Sequence, residues 1–309
     1  MKKALVTGAT GFIGSRLVKE LIDNKIEVVA LVRDIEKAKT LLGDSVETIE
    51  YHSYEYDALM IDDHNIDVFY HLAWEGVAPE KKNDRVLQVR NIDFAMEMLE
   101  YAKSIGAKRF IATGTVAEYA FCEDVMDVNA KQTPNDLYGA AKTASHYMLE
   151  TWARNIDMPF NWVVIPSTYG EGRRDNNILT YTIQTLLKGQ KPSYGYLTQM
   201  WDFLYVGEVA RALYLVGEKG YTDKTYGIGS GDYRPLREYV EIIRDSIDSK
   251  LELGIGDIPT MSDKAFSSCV SISDIQEDAG FIPEVSFEEG IKKTIEYYRT
   301  LQRIDTERS

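Results

Sequence analysis

The stretch KALVTGATGFIG, residues 3–14, decides the fold. An apolar run of strand length is followed by closely spaced glycines, and a segment with helical periodicity begins near residue 12. In a strand-turn-helix unit, such glycines permit a tight turn and bring backbone amides to a phosphate group at the helix N-terminus. The spacing is G-x-x-G-x-x-G, and glycine also marks ordinary turns. The prediction of a phosphate-binding turn therefore depends on the strand before the glycines and the helix after them. The residues predicted to contact a bound dinucleotide here are Gly8, Thr10, Gly11, Phe12, Ile13 and Gly14.

The rest of the first half alternates between strand-length and helix-period segments. Strands are predicted at residues 3–8, 27–33, 46–51, 67–73, 108–115 and 160–167, with helices at about 12–23, 83–104 and 138–155. This alternation is typical of an α/β fold, a Rossmann-like doubly wound parallel sheet with helices on both faces. The pattern loosens after Tyr169, so we expect a dinucleotide-binding domain at 1–168 and a smaller substrate-binding part at 169–309. Segments within about 202–230 are expected to return to the first domain.

One predicted helix has an apolar stripe along its length. Apolar residues recur every three or four positions between residues 83 and 104, and we expect this stripe to pack against the sheet or a partner. Its members are Val86, Val89, Ile92, Met96, Leu99 and Ala102.

Composition and charge exclude several classes of protein. The 309 residues carry a formal net charge of -14, which disfavours binding to nucleic acid or to an anionic membrane surface. Glycines interrupt the apolar run at the start, so it is neither a signal peptide nor a membrane span, and a cytoplasmic location is predicted. The only two cysteines, Cys122 and Cys269, have no metal-ligand spacing, so we expect a site without metal.

Arg33 at the end of the second predicted strand bears on the choice of cofactor. It stands 19 residues beyond Gly14, near the position where an acidic residue would bind the ribose 2′-hydroxyl of NAD. An arginine there can pair with the 2′-phosphate of NADP instead. NADP is therefore favoured, although NAD stays possible because the adjacent Asp34 could bind a ribose hydroxyl.

Tyr138 and Lys142 lie four positions apart in a predicted helix, so both side chains can reach one site. A free tyrosine has a pKa of about 10, and a nearby cation shielded from water would lower it toward neutrality. Thr115, at the end of the fifth predicted strand, would point its hydroxyl into the crevice at the carboxyl edge of the sheet. The three residues predict a catalytic set for hydride transfer, with Tyr138 as proton donor, Lys142 as its tuning cation and Thr115 as the group that orients the substrate oxygen.

An ordered series of motifs resembles the extended short-chain dehydrogenase/reductase family, which includes nucleotide-sugar epimerases, dehydratases and reductases. The series comprises TGATGFIG (7–14), HLAW (71–74), Asn91, TGT (113–115), YGAAK (138–142), STYGEG (167–172), DFLYV (202–206), GIGSG (227–231) and GFIPEVSFEEG (280–290). The resemblance implies NAD(P) binding, a nucleoside-diphosphate sugar as substrate, and a homodimer formed by the helices at 83–104 and 138–155. It adds Leu72, Ala73, Thr113 and Pro166 to the expected cofactor contacts.

Departures from the family pattern narrow the expected reaction. Val116 and Ala117 occupy the places of the acidic pair that drives water loss in 4,6-dehydratases. Two reactions that use the same catalytic set stay open. One is reduction of a 4-keto 6-deoxy sugar with NADPH, and the other is 4-epimerisation with retained NAD. Arg33 favours the reductase. A non-catalytic redox sensor is a third alternative, disfavoured by the Tyr-Lys pair. The candidate substrate contacts are Trp74, Glu75, Glu118, Ser167, Arg173, Arg174 and Asn177.

Overall fold

The computed structural model describes residues 1–51, 65–120, 125–173, 175–259 and 268–308. Its centre is a seven-stranded sheet in the order β3-β2-β1-β4-β5-β6-β11, with every neighbouring pair parallel. The strands are β1 Lys3–Thr7, β2 Glu27–Val32, β3 Glu47–Glu50, β4 Val68–His71, β5 Phe110–Thr115, β6 Phe160–Ile165 and, after the shorter strands given below, β11 Lys224–Gly227. The predicted Rossmann-like α/β fold is confirmed.

Helices cover both faces of this sheet. The helices of the described chain are α1 Phe12–Asp23, α2 Ile35–Leu42, α3 Arg85–Ser104, α4 Leu137–Asn155, α5 Ile178–Leu187, α6 Val206–Lys219, α7 Leu236–Ile247, α8 Ser273–Ala279 and α9 Phe287–Arg308. On one face, Leu17 of α1 and Leu213 of α6 belong to a core with Val6 of β1. On the other, Leu99 of α3 and Leu149 of α4 belong to a second core. Each such side chain contributes about 1.5–3 kcal/mol when it is fully buried.

The C-terminal part has a core of its own. Tyr239 of α7, Ile183 of α5 and Ile291 of α9 are buried together there. Three two-stranded pairs accompany these helices: β7 Ser167–Tyr169 with β10 Phe203–Tyr205, β8 Ser193–Tyr194 with β13 Gly254–Ile255, and β9 Met200–Trp201 with β12 Arg234–Pro235. β11 pairs with β6 at the edge of the main sheet, whereas β10 pairs with β7 outside it. The division at residue 168 stays a prediction.

Helices α3 and α2 differ in detail from what the sequence predicts. In α3, Leu99 and Ala102 are buried, but Val86 and Val89 at the other end are 50% and 58% exposed. The buried face also includes Phe94, Ala95 and Met98. One end of the predicted stripe therefore packs against the sheet, and the prediction that a partner covers the other end stays open. Helix α2 was not predicted; the Asp34 side chain accepts a hydrogen bond from the Lys37 N–H and caps its N-terminus.

Candidate functional site

Gly8 and Gly14 make the turn between β1 and α1 possible. Gly8 has φ +70°, and a Cβ there would lie 2.7 Å from the backbone N of Ala73, which follows β4. A Cβ on Gly14 would lie 2.1 Å from the carbonyl oxygen of Gly8. Within the described chain, no side chain caps the N-terminus of α1. The first amides of this helix therefore remain available to an anion.

A cavity of about 740 Å³ lies beyond the carboxyl ends of β1, β4, β5 and β6. This is the edge where ligands bind in open parallel sheets. The predicted site residues that line it are Gly8, Gly11, Phe12, Ile13, Gly14, Leu72, Trp74, Thr113, Thr115, Tyr138, Lys142, Pro166, Ser167 and Arg173. The structure thus brings the glycine turn and the proposed catalytic set to one cavity.

Helix α4 carries Tyr138 and Lys142 into this cavity. It begins after Asp136, whose carboxylate accepts a hydrogen bond from the Gly139 N–H at 2.7 Å. Lys142 is 5% exposed, and its Nζ donates to the Thr113 carbonyl oxygen at 2.7 Å. The same Nζ lies 3.8 Å from the centroid of the Trp74 indole ring. Trp74 also meets the Tyr138 ring edge to face, with the ring centroids 6.4 Å apart.

The expected electrostatic effect of Lys142 on Tyr138 has to be corrected. Burial is the largest influence on the Tyr138 phenol and raises its pKa to about 12, opposed by a hydrogen bond with the Thr115 side chain. Burial also lowers the pKa of Lys142 to about 7, and Glu118 opposes that shift. The ammonium of Lys142 is directed to Thr113 and Trp74. Tyr138 is therefore a protonated phenol near neutral pH.

A second cleft of about 360 Å³ extends from the glycine turn toward β2. It shares Gly8, Gly11, Leu72 and Trp74 with the first cavity, so the two spaces are continuous along the turn. The other predicted cofactor contacts, Thr10, Arg33 and Ala73, line this second cleft. A long ligand could therefore run from Arg33 past the glycines to Tyr138, and these residues fit a dinucleotide.

Cations and one carboxylate share the Arg33 end of this cleft. Arg33, Lys37 and Arg90 all line it. Glu75, expected to contact the substrate, lies here as well, and its carboxylate forms an ion pair with the Arg33 guanidinium. The structure does not bring Glu75 to the cavity of Tyr138.

The expectation that Glu118 faces a sugar has to be corrected as well. Glu118 is fully buried in a turn of 3₁₀ helix, Val116–Tyr119, that follows β5. Its Oε1 accepts a hydrogen bond from the Thr115 N–H at 2.8 Å, and its Oε2 accepts one from Gln132 Nε2 at 3.1 Å. The carboxylate lies behind Thr115, away from the cavity.

The other substrate candidates have mixed positions. Ser167 and Arg173 line the cavity, and Arg173 Nη2 donates to Asp175 Oδ2 at 2.7 Å. Asn177 instead caps α5, accepting hydrogen bonds from the N–H groups of Leu179 and Thr180. Arg174 lies outside the described residues.

Sequence reasoning missed Trp201 and Ser268 as lining residues. Both line the cavity, and Trp201 Nε1 donates to the Ser167 hydroxyl at 2.9 Å. A bridge between Trp201 and Ser268 brings them together from distant parts of the chain. The two residues lie far apart in the sequence, so no local pattern relates either of them to the cavity.

The described part of the chain lacks two features that would point to other functions. It contains no helix long and apolar enough to cross a membrane. It also contains no group of three or more His, Cys, Asp or Glu side chains arranged to hold a metal ion.

The known proteins most similar to this chain include enzymes named for nucleotide-linked sugars. The chain is 27% identical over 333 residues to a dTDP-glucose 4,6-dehydratase of Escherichia coli, covering 96% of this chain and 92% of that protein. Its fold is similar to UDP-N-acetylglucosamine 4-epimerase from Methanobrevibacter ruminantium M1, with a TM-score of 0.84, 22% identity and coverage of 97% and 99%. The fold is also similar to UDP-glucuronic acid 4-epimerase from Bacillus cereus, solved with UDP-glucuronic acid and NAD. The TM-score is 0.83, the identity is 22%, and the match covers 97% of this chain and 99% of that one.

The chain also matches a whole protein family over most of its length. Residues 4–229 match the NAD-dependent epimerase/dehydratase family, from the strand before the glycine turn to β11 and the two residues after it. Because the match covers most of the chain, this protein belongs to the NAD-dependent epimerase/dehydratase family.

Proposed function

We propose that this protein reduces a 4-keto 6-deoxy sugar attached to a nucleoside diphosphate, using NADPH. The observation that carries the proposal is that Thr115, Tyr138 and Lys142 line one cavity with the glycine turn. The relatives support the substrate class, since they include a dTDP-glucose dehydratase and epimerases of UDP-sugars.

The proposed mechanism divides the reduction between a hydride and a proton. When bound, the reduced nicotinamide supplies the hydride to the carbonyl carbon of the sugar. Tyr138 donates its hydroxyl proton to the carbonyl oxygen, and the Thr115 hydroxyl orients that oxygen by a hydrogen bond. Lys142 binds the ribose next to the nicotinamide as an ammonium, which donates hydrogen bonds to the ribose hydroxyls. The product is the sugar alcohol, and Tyr138 regains a proton from solvent.

The protonation state of Tyr138 is compatible with reduction. A reductase starts with a phenol that donates a proton, and burial raises the Tyr138 pKa to about 12, which keeps that proton in place at neutral pH. An epimerase uses the same tyrosine first as a base and then as an acid, so this pKa does not by itself separate the two reactions. Dehydration is disfavoured because Val116 and Ala117 cannot act as acid or base, and the carboxylate of Glu118 is buried away from the cavity.

Arg33 supports NADPH because its guanidinium can pair with a 2′-phosphate, and Lys37 and Arg90 add two further cations to the lining of the same cleft. The ion pair of Glu75 with Arg33 favours the second candidate function, a 4-epimerase that retains NAD. It offsets part of the charge that a 2′-phosphate would use.

We also propose a homodimer formed through α3 and α4. Val86 and Val89 of α3 and Tyr147 and Met148 of α4 are large apolar side chains that are about half exposed in the single chain. Contact with the same helices of a second copy would cover them. The cytoplasmic location stays a prediction from the sequence.

The test is to incubate the purified protein with NADPH or NADH and a panel of nucleotide-linked 4-keto sugars, following absorbance at the wavelength of the reduced coenzyme. Stoichiometric oxidation of NADPH supports the reductase. Interconversion of sugars without net oxidation selects the epimerase. A Tyr138→Phe variant should bind NADPH but lose turnover at least about 100-fold. Coenzyme binding without turnover of any sugar by the unaltered protein would favour a redox sensor.

A further inference from the structure

Glu118 lies at the centre of a buried polar cluster behind the cavity. Its side chain is 0% exposed, and Oε1 accepts hydrogen bonds from the Thr115 N–H at 2.8 Å and from Trp162 Nε1 at 3.3 Å. On the other oxygen, Gln132 Nε2 donates at 3.1 Å, and His146 Nδ1 lies 3.9 Å away. These donors offset part of the cost of burying the carboxylate away from water.

Gly114 leaves the space that this cluster needs. A Cβ on Gly114 would lie 2.2 Å from Trp162 Nε1 and 2.5 Å from Glu118 Oε1. The strand can therefore pass over the carboxylate only with glycine at this position. The glycine between Thr113 and Thr115 thus permits the approach of Glu118 to the end of β5.

Glu118 and Lys142 hold the same short segment from two sides. Lys142 Nζ donates to the Thr113 carbonyl, and Glu118 Oε1 accepts from the Thr115 N–H, two residues further along β5. Both also contact the Trp162 indole, whose centroid lies 5.8 Å from Lys142 Nζ and whose Nε1 bonds Glu118. The two side chains therefore meet the same indole and the same end of β5, and each influences the charge of the other.

We propose that Glu118 is a positioning residue: its buried carboxylate is the counter-charge that keeps Lys142 in the ammonium form, and its bond to the Thr115 N–H fixes Thr115 beside Tyr138. The catalytic consequence rests on the proposed function; the effect on Lys142 does not. Lys142 is 5% exposed, and burial disfavours its charge. Glu118 is the influence that raises its pKa against that burial.

The other groups around Glu118 and Lys142 carry no negative charge near pH 7, so Glu118 is the counter-charge of the lysine. From β4, His71 faces Lys142 but is buried with a pKa lowered to about 3, so it is neutral near pH 7. From α4, His146 lies beside Glu118 with a pKa lowered to about 4 by burial, so it is neutral as well. Trp74 and Trp162 contribute ring faces, and Tyr138 a protonated phenol. Burial raises the pKa of Glu118 itself to about 7, opposed by the Thr115 N–H and by Lys142.

The sign of the expected effect follows from this arrangement. Removing the negative charge at Glu118 lowers the pKa of Lys142, because the ammonium loses the anion that stabilises it. Lys142 then loses its proton at a lower pH. The shift should be about one pH unit or more, because opposite charges in a buried site interact strongly.

Competitive labelling measures this shift without any assay of catalysis. Trace acetic anhydride is reacted with the full-length protein across a pH series, and mass spectrometry of the peptide carrying Lys142 gives its titration midpoint. Glu118→Gln keeps the size and a hydrogen-bonding oxygen but removes the charge, and should lower the midpoint by about one unit or more. Glu118→Asp keeps the charge and should leave the midpoint within about half a unit of the unaltered protein.

A matched control separates charge from burial. Asp202→Asn removes another fully buried carboxylate, whose partners are the N–H and hydroxyl of Ser230, and it should not move the Lys142 midpoint. Circular dichroism and melting temperature confirm folding of each variant. Equal midpoints in Glu118→Gln and the unaltered protein would overturn the proposal, as would an equal shift in Asp202→Asn. If Glu118→Gln fails to fold, Glu118→Ala takes its place: a lowered midpoint supports the proposal, and a midpoint equal to that of the unaltered protein overturns it.

The catalytic arm uses the pH profile of kcat/KM for NADPH oxidation. In Glu118→Gln, the loss of activity at high pH should begin about one unit lower than in the unaltered protein, with activity partly recovered on lowering the pH. A uniform loss at every pH would overturn the electrostatic role. If the unaltered protein oxidises no coenzyme with any sugar, the proposed function fails, while the labelling experiment still decides the role of Glu118.

Discussion

The ammonium of Lys142 lies 3.8 Å from the centroid of the Trp74 indole ring. Trp74 follows β4 and lines both the cavity of Tyr138 and the cleft of Arg33. Its Nε1 donates to Gln88 Oε1 of α3 at 3.0 Å, which fixes the orientation of the ring. The indole is thus a wall common to both halves of the proposed dinucleotide site, and it stabilises the charge of the lysine expected to hold the nicotinamide ribose.

Replacing Trp74 with alanine should weaken dinucleotide binding about 5- to 30-fold. A cation above an aromatic ring in a shielded site gains about 1–2 kcal/mol, and without the ring less of the buried Lys142 remains charged. Trp74→Phe keeps a smaller ring face, so its affinity for the dinucleotide should lie between those of Trp74→Ala and the unaltered protein. Isothermal titration calorimetry with NADPH and NADH gives the affinities. Unchanged or tighter binding by Trp74→Ala would mean that the indole does not support the lysine.

Arg33→Ala should weaken NADPH binding about 10- to 100-fold while changing NADH binding little. The loss corresponds to the charge-assisted hydrogen bonds that a guanidinium makes to a 2′-phosphate, about 1.5–3 kcal/mol. Glu75→Gln is the matched variant: it removes the carboxylate paired with Arg33 and should shift the preference further toward NADPH. The ratio of the two dissociation constants is the measurement. A ratio near one in all three proteins would favour NAD and with it the epimerase.

The sequence predicted the parts of the site that depend on neighbours along the chain. Gly8 and Gly14 belong to one strand-turn-helix unit, and Tyr138 and Lys142 are one turn apart on one helix, so local spacing placed them correctly relative to each other. The central strands β1, β2, β4 and β6 were recognisable because they are buried on both faces and are therefore rich in apolar residues.

Contacts between distant segments could not be predicted in this way. Glu118 is buried because Trp162, 44 residues away, donates to it and because Gly114 leaves space. The pKa of Tyr138 depends on how deeply the ring is enclosed, which spacing does not reveal. The sequence could not say which end of the α3 stripe packs on the sheet, because helical periodicity does not distinguish a surface that packs on the sheet from one left for a partner.

Val89→Glu on α3 should convert the proposed homodimer into a monomer. Val89 is 58% exposed, and a charge buried in an apolar interface between two copies costs several kcal/mol. Ile282→Glu is the control, since Ile282 is 63% exposed but follows α8, outside the proposed interface. Sedimentation velocity at several concentrations reports the mass of each variant. Equal behaviour of the two variants would argue against an interface through α3.

His71 should make the stability of the protein fall at acid pH. It is 3% exposed at the end of β4, its Nδ1 lies 3.0 Å from the Thr7 hydroxyl, and burial lowers its pKa to about 3. In the unfolded chain a histidine has a pKa of about 6.5, so below that pH the unfolded state binds a proton that the folded state excludes. The stabilisation is complete above about pH 6.5 and is lost as the pH falls toward 3. By pH 5 the loss in the free energy of unfolding is on the order of 2 kcal/mol.

His71→Phe tests this assignment because it removes the titrating group and keeps an aromatic ring. His71 already packs against the rings of Phe94 and Phe110, with centroids 5.5 and 5.9 Å away, so a phenyl ring suits the site. The free energy of unfolding, from urea titrations at pH 7.5 and 5, should fall by about 2 kcal/mol less in the variant than in the unaltered protein. Buried Glu118 and Asp202 also titrate, but they are present in both proteins, so their effects cancel in the difference. Equal losses in the two proteins would show that His71 accepts a proton in the folded state, which would place a second cation beside Lys142.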